Sequence, residues 1–239
     1  MKNVIITGGA RRLGKHLALN FAKKGYNVVI HYNSSTESAK ETHQAILDLG
    51  VDSIMVKADL HNLVEIERLF AIAAEHYGKL DALVNSAAVL PRQMAVSEIS
   101  EMDWNAVMNV NLKAYLFASQ QFAKYADDSA KIINIASLGG QEIWKNRLLY
   151  NVSKAGVLQL TKALAREFAP KIAVNSVSPG IVTIPNEPSE NDTLNPKRIP
   201  YGRYATPEEI FSAVYFFAEC SNYITAQNLN IDGGYHDAR

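Results

Sequence analysis

The feature that most constrains this chain is the alternation of short β-branched runs with helix-length segments. Runs rich in valine and isoleucine occur at 3–7, 27–32, 53–58, 80–85, 131–136, 172–177 and 228–232. Helical patterns occupy 13–24, 36–49, 62–77, 98–126, 150–169 and 207–219. Near-continuously apolar strands separated by helices indicate a parallel sheet covered on both faces. The expectation is an α/β fold, a doubly wound sheet of about seven parallel strands, in which ligands bind beyond the carboxyl ends of the strands. No repeat, linker or low-complexity tract divides the 239 residues, so 1–239 reads as a single domain.

Three chemically interesting residues lie just past predicted strand ends: Gly8, Asn85 and Ser137. Ser137 closes the run KIINIAS, and Tyr150 follows thirteen residues later. Tyr150 and Lys154 stand four apart, so on a helix the phenol and the ammonium share one face. A strand-end hydroxyl, a phenol and an ammonium make a candidate proton-transfer site.

The first strand runs into TGGARRLGKHLA and then a helix, a junction whose glycines and free N–H groups suit an anion. Two phosphate motifs compete for it. Gly9 to Lys15 matches seven positions of G-x-x-x-x-G-K-[ST], but the eighth is His16, a poor partner for Mg²⁺. The dinucleotide pattern G-x-G-x-x-G is also absent as written. Spacing alone settles neither.

In wider context, Thr7-Gly8-x-x-x-Arg12-Leu13-Gly14 resembles the glycine turn of the short-chain dehydrogenase/reductase family, with Arg12 at the usual middle glycine. Asp59 resembles the family's adenine-contacting acid, and Asn85-Ser86-Ala87-Ala88 its N-N-A-G motif. Asn111 matches its catalytic asparagine, Ser137 its serine, and Tyr150 with Lys154 its Y-x-x-x-K. Pro179-Gly180 and the closing IDGGY match its later landmarks. The resemblance spans almost the whole chain. It implies a Rossmann-type domain and an oxidoreductase acting on a carbonyl. Tyr150 would be general acid in reduction, tuned by Lys154, which would also hold the nicotinamide ribose. Ser137 would donate to the substrate oxygen, and Asn111 would anchor a water linking Lys154 to solvent.

A free phenol, with a pKa of about 10, is a poor proton shuttle near neutrality, and a nearby cation lowers that value. For the cofactor, no acid follows the second strand until Glu37, whereas the turn offers Arg11 and Arg12. A 2′-phosphate needs cations, so NADP(H) is expected rather than NAD. His31, Tyr32, Asn33 and Ser34 are expected at the adenosine end. Leu60 beside Asp59, and Val182 beyond Gly180, complete the expected cofactor contacts; no metal site is expected.

The substrate is less legible. TGGARRLG, HYNSS and INIDGGY are similar to the pteridine reductase branch of the family. That branch usually carries Asp at the Ser137 position and an aromatic at Val89. Ser137 is similar instead to general carbonyl and 3-oxoacyl-carrier-protein reductases. A small-molecule carbonyl is the expected partner. A cofactor sensor or a purely structural role on the same fold remains the non-enzyme alternative, disfavoured by the intact proton-donating trio.

With 24 basic and 24 acidic residues, nothing points to nucleic acid or a membrane surface. No apolar run approaches membrane-span length, and the single Cys220 fits a reducing compartment, so a soluble cytoplasmic protein is expected. Residues 179–206 hold five of the eight prolines and read as a substrate lid, with Tyr201, like Trp144, a candidate pocket wall. In 98–126, apolar residues from Trp104 to Tyr125 spread beyond one stripe, which predicts a homo-oligomer; the family resemblance implies a tetramer, with a dimer as the alternative.

Overall fold

The computed structural model describes residues 1–185 and 195–236. Seven strands form one sheet: β1 (Asn3–Thr7), β2 (Asn27–Tyr32), β3 (Ser53–Lys57), β4 (Leu80–Asn85), β5 (Ala126–Ile135), β6 (Ala173–Pro179) and β7 (Asn228–Ile231). Their order is β3-β2-β1-β4-β5-β6-β7, and every neighbouring pair is parallel. The helices are α1 (Arg12–Lys23), α2 (Thr36–Leu47), α3 (Leu63–Tyr77), α4 (Glu101–Met108), α5 (Ala114–Tyr125), α6 (Leu148–Phe168) and α7 (Pro207–Glu219).

The two-residue period of each strand sorts its apolar side chains onto two cores. Val4, Ile6, Val28 and Ile30 face Leu17, Phe21, Val214 and Phe217 of α1 and α7. Ile5, Val29, Leu83 and Ile132 face Leu69, Phe70, Phe122 and Leu164 of α3, α5 and α6. The parallel, two-sided sheet expected from the sequence is therefore what forms.

Two elements depart from expectation. The segment 98–126 is not one helix: α4 and α5 are joined by a π-helical turn, Asn109–Lys113. β5 also starts earlier than 131, because the polar stretch ADDS, which carries no apolar signal, pairs with β4 across an irregularity between Leu80 and Ala82.

The register places the sequence landmarks along one edge. Thr7 pairs with Asn85, Asn85 with Asn134, and Asn134 with Ser176. Gly8, Ser86, Ser137 and Gly180 consequently emerge at the carboxyl ends of adjacent strands.

Candidate active site

Ser137 leaves β5 as the N-cap of a short 3-10 turn, Leu138–Gly140, its Oγ accepting from the Gly139 N–H at 3.1 Å. That turn lies directly on α6. A Cβ on Gly140 would stand 2.6 Å from the Lys154 carbonyl carbon, so only glycine allows this approach. The contact sets Ser137 against the first turns of α6, which carry Tyr150 and Lys154. Ser137 stands close enough to the Tyr150 phenol for its hydroxyl to favour the ionised form.

Burial raises the Tyr150 pKa, opposed by the Ser137 hydrogen bond and by the positive charge of Arg147. Lys154 lies one turn further along α6. Its Nζ, on a residue only 2% exposed, donates to the Ile135 carbonyl at 2.7 Å and to the Tyr115 hydroxyl at 3.4 Å. The ammonium lies over the rings of Tyr115 and Tyr150, 5.2 and 5.9 Å from their centroids. Burial lowers its pKa to about 7. Tyr115 and Arg147 are thus site residues that sequence reasoning missed. The available signals were spacing: Tyr115 follows Asn111 by four residues, and Arg147 precedes Tyr150 by three.

Asn111 sits in the π turn, fully buried. Its Oδ1 accepts from the Val89 N–H at 2.7 Å, while Nδ2 donates to the Val89 carbonyl at 3.0 Å and to Ser153 Oγ at 3.1 Å. The carboxamide thereby ties the loop after β4 to α6, beside Lys154. π turns within helices frequently mark functional positions, and this one presents Asn111. Gly156, where a Cβ would meet Leu112 at 2.8 Å, lets α6 approach the same turn.

The glycine turn is held by its neighbours. Gly8 has φ 69°. Gly14 opens α1 so close to it that a Cβ would stand 2.1 Å from the Gly8 carbonyl oxygen. Arg12 has φ 52°, so the position does require left-handed backbone and the arginine bears that strain. Alongside, α3, α4 and α7 are capped by the side chains of Asn62, Ser100 and Thr206. By contrast, α1 has no side-chain cap and no acid in its first turn. Uncapped N–H groups with Arg11, Arg12 and Lys15 form an anion-receptive end. Leu13 packs partly into the core behind them.

Several expected cofactor residues have side chains that brace the fold around the turn. Thr7 Oγ1 accepts from the Ser86 and Ala87 N–H groups at 2.9 and 3.1 Å, joining β1 to the loop after β4. Asn85 is 1% exposed and donates inward to Asn134 at 2.9 Å and Ser119 at 3.3 Å, while its Oδ1 has no partner among the described residues. His31 is also buried: Nδ1 accepts from the Gly8 N–H and Nε2 donates to the Ala58 carbonyl, both at 3.0 Å. Its burial pushes the imidazole down to about 4, so it stays neutral and clamps the turn. Leu60 likewise belongs to the core rather than the surface. Asn33 and Ser34 are exposed and Tyr32 half-buried, as an adenosine end requires. Asp59 Oδ1 accepts from the His61 N–H and meets its ring nitrogen at 2.8 Å, holding the carboxyl below its usual range.

On the far side, Pro179 ends β6, the Gly180 N–H donates to Ile231 at 2.9 Å, and Val182 bridges Ala205. Residues 186–194 of the expected lid lie outside the described residues. Its described flank, 195–206, folds onto the IDGGY loop, with the Tyr201 N–H donating to Gly233 at 3.2 Å. A cavity of about 430 Å³ opens here, lined by Leu138, Trp144, Arg147, Ile199 and Tyr235 among others. Trp144 stacks on Tyr150 with centroids 6.1 Å apart. It is the pocket wall expected. Tyr201 is not: it is 69% exposed and sits beneath the Arg203 guanidinium.

Comparison with known proteins agrees with this geometry. The enoyl-(acyl carrier protein) reductase family model matches residues 8–236. A 3-oxoacyl-[acyl-carrier-protein] reductase of Staphylococcus aureus is 32% identical, covering 98% of this chain and 97% of the relative. One from Synechocystis is 32% identical over 96% and 95%. Among solved structures, a short-chain dehydrogenase of Burkholderia cenocepacia in complex with NADP aligns at TM-score 0.92 and 30% identity, over 98% and 97%. A short-chain dehydrogenase/reductase of Serratia marcescens gives the same values.

Proposed function

Because the chain belongs to the short-chain dehydrogenase/reductase family, we propose that it reduces a carbonyl group to an alcohol with NADPH. The observation that carries this reading is that Ser137 and Tyr150 come together at the carboxyl edge of the sheet, with Lys154 buried one turn further on and Trp144, stacked on Tyr150, lining the adjoining cavity. The glycine turn fits a dinucleotide: Gly14 lets the start of α1 close against Gly8, and the first turn of α1 has no side-chain cap. Arg11 and Arg12, with Asn33 and Ser34, would hold the 2′-phosphate that distinguishes NADP. When bound, NADPH supplies the hydride.

The chain's own residues do the rest. Burial keeps the Tyr150 phenol protonated at neutral pH, ready to deliver its proton to the carbonyl oxygen. Ser137 steadies that oxygen as charge develops, and its bond to Tyr150 eases release of the proton. Lys154, with a pKa near 7, holds or yields a proton close to working pH. Trp144 and Leu138 exclude water from the oxygen end.

The matching family model is described by reduction of an enoyl group, whereas the relatives are named for a 3-oxoacyl group. Two hydroxyls converging on one oxygen suit the second chemistry better, and a 3-oxoacyl thioester is the alternative substrate to a small ketone. We also read the protein as a cytoplasmic homo-oligomer, a tetramer or a dimer. Its single cysteine supports the compartment; exposed Trp104, Leu116, Leu148 and Val152 on α4, α5 and α6 support the assembly.

The test is NADPH consumption with ketones, acetoacetyl and crotonyl thioesters, and dihydrobiopterin, for wild type and Tyr150→Phe. A loss of about 10²–10⁴-fold in kcat with NADPH affinity retained is expected. Tight NADPH binding with no turnover across the panel would instead identify a sensor.

A further inference from the structure

The cavity beside Tyr150 is not neutral. Its described lining carries Lys145, Arg147 and Arg198 against the single carboxylate of Asp232. Asp232 is already engaged: its two oxygens accept from the Gly234 and His236 N–H groups, both at 2.9 Å. The nearby Glu142 is turned away into a pair with His236 Nδ1 at 3.0 Å. The chain as a whole has no net charge, so three cations lining one cavity are a local concentration. Cations gathered around a concave site attract an anion more than the same cations dispersed on a surface.

Arg147 is the informative member. It is half-buried, it precedes Tyr150 by one helical turn, and its charge reaches the phenol. Its Nη1 donates to the Pro91 carbonyl, which fixes the guanidinium at the cavity mouth. The same lining includes Trp144, Leu138, Ile199 and Tyr235, an aromatic and aliphatic surface. One end of a ligand would meet hydroxyls, its body would meet rings, and another end would meet cations.

We infer that the substrate of this site is a carbonyl compound with an anionic group, carboxylate or phosphate, on an apolar body. The anion is held by Arg147, Lys145 and Arg198 while the carbonyl faces Tyr150 and Ser137. This rests on the reductase reading above and narrows its substrate class. Arginine's planar fork suits both anions, and a desolvated charge-assisted pair discriminates strongly against a neutral isostere.

The experiment compares 3-benzoylpropionate with its methyl ester and with phenacyl phosphate. Dissociation constants are measured by calorimetry on the NADP-loaded protein, and kcat/KM is measured by NADPH consumption. The acid is expected to bind about tenfold more tightly than the ester. Arg147→Gln and the double variant Lys145→Gln/Arg198→Gln should bring that ratio towards one. Preference for phenacyl phosphate over the acid would assign the cations to a phosphate; the reverse assigns them to a carboxylate. Equal binding of acid and ester, or a ratio insensitive to all three cations, overturns the inference. If Arg147→Gln instead weakens NADPH binding and leaves the ratio intact, the cation serves the cofactor and the inference also fails. Turnover of the ester alone leaves the reductase reading standing; preferential binding of the acid without turnover of any member overturns that reading and keeps the anion site.

Discussion

Lys154 Nζ donates to the Ile135 carbonyl at 2.7 Å, which ties α6 to β5 two residues before Ser137. The same ammonium is buried without a carboxylate partner among its hydrogen bonds, and burial lowers its pKa to about 7. A lysine with a folded pKa below its unfolded value contributes stability present above about pH 10.5 and lost as pH falls through 7. Lys154→Met is therefore expected to be more stable than wild type at pH 6 by roughly a few kcal/mol. That advantage should shrink steadily towards pH 10 in urea melts. A pH-independent difference would contradict it.

His31 titrates in the same sense at lower pH. With its folded pKa near 4 and an unfolded value near 6.5, its stabilising contribution is complete above 6.5 and lost as pH falls towards 4. The loss amounts to about 3 kcal/mol. Because the protonated ring cannot accept from the Gly8 N–H, NADPH affinity should fall over the same window. His31→Gln should flatten both profiles, measured by denaturation midpoints and cofactor titration.

Arg12 bears left-handed backbone at 52°, which costs a non-glycine residue roughly 1 kcal/mol or more. Arg12→Gly is expected to raise stability by up to ~1 kcal/mol, or about 2–4 °C in Tm for a chain of this size. It should simultaneously erode the preference for NADPH over NADH. A gain in stability with the preference untouched would remove Arg12 from the 2′-phosphate site.

Gly140 touches the backbone of Lys154, so its neighbour cannot simply rotate aside. Gly140→Ala should cost about 1–3 kcal/mol from overpacking. It should also lower kcat by at least tenfold with KM for NADPH little changed, because it separates Ser137 from Tyr150 while leaving the glycine turn intact.

Leu116 and Val152 remain exposed on the single chain. Leu116→Glu with Val152→Glu is expected to yield a monomer by light scattering at micromolar concentration, where wild type is an oligomer.

The strands and their order of residues were legible because buried parallel strands concentrate β-branched side chains, as NVIIT and KIINIA do. Helical periodicity puts Tyr150 and Lys154 on one face, and the resemblance to the family's serine and Y-x-x-x-K made them and Ser137 legible as a site. What stayed hidden depends on the third dimension. Its four-residue spacing from Asn111 is the one local sign of Tyr115; its hydroxyl acquires meaning only beside Lys154. The inward turn of Asn85 and His31 follows from their strand-end register, where polar atoms find buried partners. The polar start of β5 has no compositional signature at all.

The π turn at Asn109–Lys113 has one more consequence, for how the chain tolerates changes of length. An added residue advances the following helix by about 100°. Some of the apolar spread along 98–126 is thus a change of phase: α4 buries Val107, whereas α5 buries Tyr115, Ala118 and Phe122. Removing one residue between 109 and 113 would not trim a loop. It would swing Tyr115 off Lys154 and Phe122 out of the core together. Surface substitutions on these helices are open to drift, but their residue count is locked to the active site.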